Sequence, residues 1–216
     1  MLVTWSQIWT ATLQTLQMVS ISLLIGSLVG IPLGILLVIT NGTGIIKSKL
    51  ISRSINMIIN IIRSIPFIIL LVAIVPLTRA IVGTSIGTKA AIVPLILYII
   101  PYIARLVENS LLEVNKGIIE AAEAMGATTI QIVWYFLLPE ALGSLILSLT
   151  TATIGLIGAT TMAGTVGGGG IGDIAVSYGY QRFDTITTII TVIILIVFVQ
   201  VIQNLGIVLS RRIRKN

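Results

Sequence analysis

Five apolar runs, each about long enough to cross a bilayer, divide this chain at roughly 18–39, 55–77, 90–107, 141–162 and 185–209. A run of about 20 apolar residues wound as a helix matches the hydrocarbon core of a membrane. Lipid offers no partner for an open backbone N–H or C=O, so only helices or closed barrels can cross it. These runs therefore predict an all-α integral membrane protein with five transmembrane helices. The rest of the chain is small: 56% of the 216 residues are hydrophobic and 9% are charged, where a soluble domain carries roughly a quarter charged.

What is absent narrows the function. The chain has no cysteine and no histidine, so no disulfide framework, thiolate chemistry or histidine metal site is expected, and no catalytic residue is assigned. The formal charge of +6 comes from Lys and Arg at helix ends rather than along one stripe, which argues against a nucleic-acid partner. The first residues lack a basic segment, so no cleavable signal peptide is expected.

Orientation follows from where the cations fall. Five spans put the termini on opposite sides. With the C-terminus inside, Lys47, Lys49, Arg53, Arg105, Lys116, Arg211, Arg212, Arg214 and Lys215 are cytoplasmic, and Arg79, Lys89 and Arg182 are external. Nine against three agrees with the positive-inside rule. The N-terminus is expected outside, with residues 1–17 as an interfacial segment carrying Trp5 and Trp9 at the headgroup level. A basic tail, 210–216, ends the chain inside. The turn at Asn41-Gly42-Thr43-Gly44 matches a glycosylation sequon, which the neighbouring cations make a chance match.

Within the spans, Ser22, Gly26, Gly30 and Gly34 recur at steps of four. Such a stripe permits close helix approach, either inside the subunit or between subunits. Thr78 to Gly87 reads as a polar turn, and Pro94 and Pro101 should kink the third span. Arg63 falls inside the second span, where a charge costs roughly 2.5–3.5 kcal/mol on insertion scales. It either snorkels to the headgroups or pairs with Glu108. The fourth span carries Ser148, Thr150, Thr151, Thr153, Thr160, Thr161 and Met162. Those groups either bond between helices or line a path for a small zwitterion with an apolar side chain.

The long cytoplasmic loop, 108–140, reads as two short amphipathic helices. The first carries Ile118, Ile119, Ala122 and Met125, with Glu120 near its start. Gly126 then offers the left-handed or unwound backbone that ends it. Thr128 and Gln131 fit a capping box. The second helix presents Ile130, Val133, Trp134 and Leu137 on one side, and Pro139 starts the next element.

The spacing Glu120-Ala121-Ala122, three residues, Gly126, nine residues, Phe136, one residue, Leu138-Pro139 resembles the loop signature of ABC-transporter permease subunits, E-A-A-x3-G-x9-I-x-L-P. Phe136 stands where that pattern has isoleucine. The resemblance implies a type I permease domain over about 12–204, whose loop docks into a groove on a separate ATP-hydrolysing subunit through Glu120, Ala121, Ala122, Gly126, Leu138 and Pro139. Arg63 to Phe67, Pro101 to Asn109 and Met162 to Gly172 extend the likeness to the methionine-uptake permeases. That implies a second copy of this chain, two ATPase subunits and an extracytoplasmic methionine-binding protein, in the inner or plasma membrane. ATP and magnesium would then sit on the partner. No G-x-x-x-x-G-K-[ST] occurs here, and Gly83 to Lys89 misses the spacing.

Gly164 to Asp184 reads as a glycine-rich loop. Gly167, Gly169 and Gly172 match a dinucleotide fingerprint formally, but a membrane span precedes them, so the cofactor reading fails. Gly164, Gly167, Gly169 and Gly172 are instead expected to let backbone approach a partner or substrate at the outer mouth. The pathway is assigned to Thr160, Thr161, Met162 and Arg63. Three other functions compete. A permease for another small amino acid or related solute would share every feature above. A self-sufficient secondary transporter usually keeps an acid within a span, and none lies mid-span here. An intramembrane enzyme finds no residues for its chemistry.

Overall fold

The computed structural model describes residues 2–41, 46 and 48–214. Most of the turn expected after Asn41, with Lys47 and Lys215, lies outside the described residues. The helices are α1 (Trp5–Thr40), α2 (Lys49–Ser64), α3 (Phe67–Ala73), α4 (Val75–Val82), α5 (Thr88–Leu112), α6 (Lys116–Ala124), α7 (Thr129–Gly164), α8 (Ile171–Ile174) and α9 (Thr185–Arg214). Ile132–Leu137 forms a π-helical turn inside α7, and a second π turn, Ala175–Tyr180, continues α8. No strand occurs among the described residues. The protein is all-α and multi-pass: four helices are long and apolar enough to cross a membrane, five if α2 and α3 count as one broken span.

Several boundaries differ from the sequence reading. The N-terminal segment is not separate from the first span, because α1 begins at Trp5. Its hydroxyls find partners on the helix itself: Thr12 Oγ1 donates to the Ile8 carbonyl at 2.8 Å. A polar side chain bonded in this way can enter apolar surroundings. Trp5 and Trp9 are 69% and 65% exposed, as headgroup-level rings should be.

The second span is not one helix. It stops at Ser64 and restarts at Phe67. Pro66 has no N–H to continue the ladder, and its ring disfavours helical backbone at Ile65. The supposed turn from Thr78 is also shorter, since α4 runs to Val82 and Gly83 ends it at φ 79°. By contrast α5 runs unbroken through Pro94 and Pro101.

The chain forms two compact units. The first, the glycine-loop unit, comprises Met1–Gly26, Ile65–Ile99 and Thr153–Gln203. Its core joins Val3, Ile8 and Ala11 to Ile171 and Ile174. Phe67 and Tyr98 pack edge to face there, with ring centroids 5.1 Å apart.

The second, the helical-loop unit, comprises Ser27–Ser64, Ile100–Ala152 and Asn204–Asn216. Here the small-residue stripe proves to be an internal seam. A Cβ on Gly34 would sit 2.7 Å from the Ala104 carbonyl oxygen, and one on Gly30 would sit 2.9 Å from that of Ile100. Glycine is what lets α1 lie so close to α5. Leu37, Ile59 and Ala104 fill the adjoining core. Gly206 packs against Thr150, and Ser210 Oγ donates to the Gly143 carbonyl at 2.7 Å, so α9 is held on α7 by a similar seam.

Candidate functional site

In the helical-loop unit, the loop over 108–140 is built by three local devices. Asn115 caps α6, its side-chain oxygen accepting from the Gly117 N–H at 2.9 Å. Gly126 turns the chain at φ 79°. The Thr128–Gln131 capping box starts α7, with the Thr128 N–H donating to Gln131 Oε1 at 2.8 Å. Ala122 is fully buried and pins α6 inward, while Glu120, Ala121 and Gly126 are exposed.

Three expectations about this loop need correction. Glu120 is the fifth residue of a nine-residue helix rather than part of its first turn, so the helix dipole does not hold its carboxylate. The apolar residues of the second helix do not share a face: Val133 and Leu137 are buried, while Ile130 and Trp134 are exposed. Finally, no break precedes Pro139. In an α-helix a proline there would clash with the Tyr135 carbonyl and leave it without a donor. The π turn absorbs the fault, with the Leu138 N–H reaching back to the Val133 carbonyl. Widening the helix shifts the register of the side chains before it, which splits the apolar set.

On its open side the loop offers Met125, Ile130, Trp134 and Tyr135, each 65–73% exposed. Phe136 and Pro139 line an adjoining groove of about 420 Å³ with Ile118, Glu140 and Ile213. The position that departs from the family pattern is therefore a groove wall.

Glu108 does not pair with Arg63. It accepts from Arg105 Nη1 at 2.5 Å, and Arg105 Nη2 donates to Asn56 Oδ1 at 2.9 Å and Asn60 Oδ1 at 3.0 Å. Arg63 lies exposed in the last turn of α2. One turn along α5, Ser110 Oγ lies 2.7 Å from Ser148 Oγ, and Ser144 Oγ donates to Glu113 Oε2 at 2.8 Å. These bonds tie α2 and α7 to α5, and Ser148 acts between helices.

In the glycine-loop unit, the glycine segment is packed rather than open. The Gly170 and Ile171 N–H groups donate to Gln14 Oε1 and Thr15 Oγ1, both at 2.9 Å. A Cβ on Gly164 would strike the Asp173 backbone, and one on Gly172 the Thr161 backbone. Gly172 also belongs to α8 rather than to a loop. Gly167 and Gly169 have φ of 86° and 75°, which glycine alone adopts readily. These glycines serve internal close packing.

The pathway residues divide. Thr160 is 2% exposed, its hydroxyl bonded to the Ile157 carbonyl at 2.7 Å. Thr161 bonds to the same carbonyl at 3.3 Å and is half-buried. Met162 is 51% exposed and continues an open stripe with Gly158 and Thr165. Thr160 thus faces the core, and Met162 faces out of the unit.

The family description of a binding-protein-dependent transport system inner membrane component matches residues 30–215. The chain belongs to this family. It is 50% identical to the Vibrio cholerae "Probable D-methionine transport system permease protein MetI" over 204 residues, 94% of this chain and 91% of the relative. It is 52% identical to the Escherichia coli K12 "D-methionine transport system permease protein MetI" over 151 residues, 70% of each. Its fold matches a chain of the MetNI methionine ABC transporter, in an inward-facing conformation, with a TM-score of 0.94 at 44% identity, covering 98% and 99% of the two chains.

For a binding-protein-dependent transport component, the loop signature was the visible part of the site. The Arg105 network and the Gln14–Thr15 latch were not. Both join residues far apart in sequence, at separations of 45 or more. The one available signal was an uncharged polar pair, Gln14-Thr15, near the head of an apolar helix.

Proposed function

We propose that this chain forms the membrane pathway of an importer for methionine, of one or both enantiomers. The reading is carried by likeness over nearly the whole chain to permeases named for D-methionine transport and to a methionine ABC transporter. ATP hydrolysis then resides on a separate subunit, because this chain has no phosphate-cradling loop. Two copies of the chain work with two ATPase subunits and an extracytoplasmic binding protein. The N-terminus lies outside and the C-terminus in the cytoplasm.

In this reading the loop from Lys116 to Leu138 is the coupling element. A partner can drive a conformational change only by contacting the two states differently. Exposed Glu120, Ala121, Met125 and Ile130 supply contact, and buried Ala122 fixes how they are presented. Since α7 is one helix from Thr129 to Gly164, a push on its first turn enters the span directly. Met162 and Thr161 belong to the pathway, where a flexible thioether suits an apolar substrate.

Uptake of labelled methionine in a strain lacking this chain should be lost and then restored by the wild-type chain. Failure of restoration, with the ATPase and binding protein present, overturns the reading. Met162→Ala should change uptake or basal ATPase activity in an assembled complex. Unchanged activity in both Met162→Ala and Thr161→Ala removes them from the pathway. For topology, a reporter after Lys215 should act as cytoplasmic and one inserted at 181–182 as external. The packed glycine segment is a poorer insertion point.

A further inference from the structure

A cavity of about 280 Å³ in the glycine-loop unit is lined by Ser6, Gln7 and Gln14 of α1 and by Asp173, Ile174 and Tyr178. None of the functional assignments above uses it. Its polar groups are oriented by bonds made elsewhere. Gln14 Oε1 accepts from the Gly170 N–H at 2.9 Å, and Gln7 Oε1 accepts from the Thr4 N–H at 2.8 Å. A backbone N–H can meet only the oxygen end of an amide, so both amide directions are fixed. The NH₂ ends of Gln7 and Gln14 are left as donors.

Asp173 supplies the opposite chemistry. One carboxylate oxygen accepts from Ser177 Oγ at 2.8 Å. Among the described residues no Lys or Arg lies within ion-pair distance of it. The nearby cation is occupied otherwise: Arg182 stacks over the Tyr178 ring, 4.5 Å from its centroid. Asp173 is half-buried, and a partly desolvated carboxylate favours a cationic partner. Ile174 and the Tyr178 ring give the cavity an apolar wall.

We propose that this cavity binds a zwitterion, its primary ammonium group on Asp173 and its anionic group on the amide N–H groups of Gln7 and Gln14. Two sources carry that chemistry. One is a free α-amino acid, an arm that rests on the transport reading above. The other is the headgroup of an ethanolamine phospholipid, since exposed Trp5 and Trp9 beside Ser6 and Gln7 are headgroup-level residues.

The chain has no cysteine, so Ser6→Cys gives this subunit a unique thiol at the cavity, and Thr10→Cys a second, independent one. The whole transporter is reconstituted in phosphatidylglycerol nanodiscs, and maleimide labelling of that thiol is timed. Methionine should slow labelling, and N-acetylmethionine, which lacks the ammonium group, should not. Asp173→Asn keeps the shape and the Ser177 bond but removes the charge. It should raise the methionine concentration for half protection about tenfold or more. If labelling is already slow in phosphatidylethanolamine nanodiscs without amino acid, the lipid headgroup is the occupant. Labelling unaffected by either source in both thiol variants, or protection equal in Asp173→Asn, overturns the proposal. Methionine uptake is measured in the same variants. Uptake without protection overturns the site alone, and protection without uptake overturns the transport reading alone.

Discussion

Gly126 in the helical loop and Gly172 in the glycine segment are the same residue under opposite constraints. Gly126 has φ 79° and nothing within 4 Å of where a Cβ would stand. Its backbone conformation requires glycine, and the space around it does not. Gly172 has ordinary helical backbone, yet a Cβ would run into Thr161. There the space requires glycine, and the backbone does not. The helical loop is therefore shaped by local backbone rules and left exposed, whereas the glycine segment is closed by tertiary packing on its own chain.

The largest effect should come from breaking the packed side. Gly172→Ala should destabilise the protein by about 3 kcal/mol, at the upper end of ordinary overpacking costs, because the obstacle is backbone. The check is the melting temperature of the purified complex. A shift no larger than that of an exposed control such as Gly158→Ala would mean the segment is loose.

Next is the Arg105 network. Arg105→Ala leaves Glu108, 7% exposed, as an uncompensated charge, costing roughly 2–3 kcal/mol, because the Arg105 side chain is itself 22% exposed and water reaches the site. The double variant Arg105→Ala with Glu108→Gln should recover part of that loss. A double-mutant cycle with no coupling would show that the pair carries nothing.

On the open side the cost is smaller and different in kind. Gly126→Val should cost about 1–2 kcal/mol of left-handed strain, while Gly126→Asn should be nearly neutral, because Asn tolerates that conformation. Gly126→Asp shares that tolerance but adds a charge on the open face. If the loop is the coupling contact, Gly126→Asp should insert normally yet lose copurified ATPase and uptake, while Gly126→Asn keeps both. Equal behaviour of Asp and Asn would reduce Gly126 to a backbone role.

The smallest effect is at the head of α9. Asp184 accepts from the Leu2 N–H and from the Thr187 hydroxyl and N–H. Those bonds, the Leu2 contact foremost, hold its carboxyl at a pKa of about 2, below the ordinary 3.8. A lowered carboxylate pKa means stability that is present above about pH 4 and lost as pH falls towards 2. Asp184→Asn should therefore melt earlier than wild type near pH 6, and the gap should narrow below pH 4. A gap independent of pH would assign the effect to shape rather than charge.

How far the sequence could be read follows the same division. The Thr128–Gln131 box, the Gly126 turn and the loop spacing were legible because each acts within a few residues. The break after Ser64 was foreshadowed by Pro66, but Pro94 and Pro101 sit inside an unbroken α5. A proline by itself does not say whether its neighbours will keep the helix together. The π turn before Pro139 was not legible either, since it is an accommodation between a local fault and a helix that continues. Of the two fates open to Arg63, pairing with Glu108 fails because Glu108 has a nearer cation, Arg105, on its own helix.

By itself the sequence determined the all-α membrane class, the capping box and glycine turn of the 108–140 loop, and the spacing that marks the family. Hydropathy, caps and turns are set by residues near one another in the chain, so a one-dimensional reading captures them. Only the tertiary structure decided which glycines are spacers and which are hinges, which arginine is engaged, and that Thr160 turns inward while Met162 turns outward. Those outcomes depend on what stands across from each residue, at sequence separations that no local rule spans.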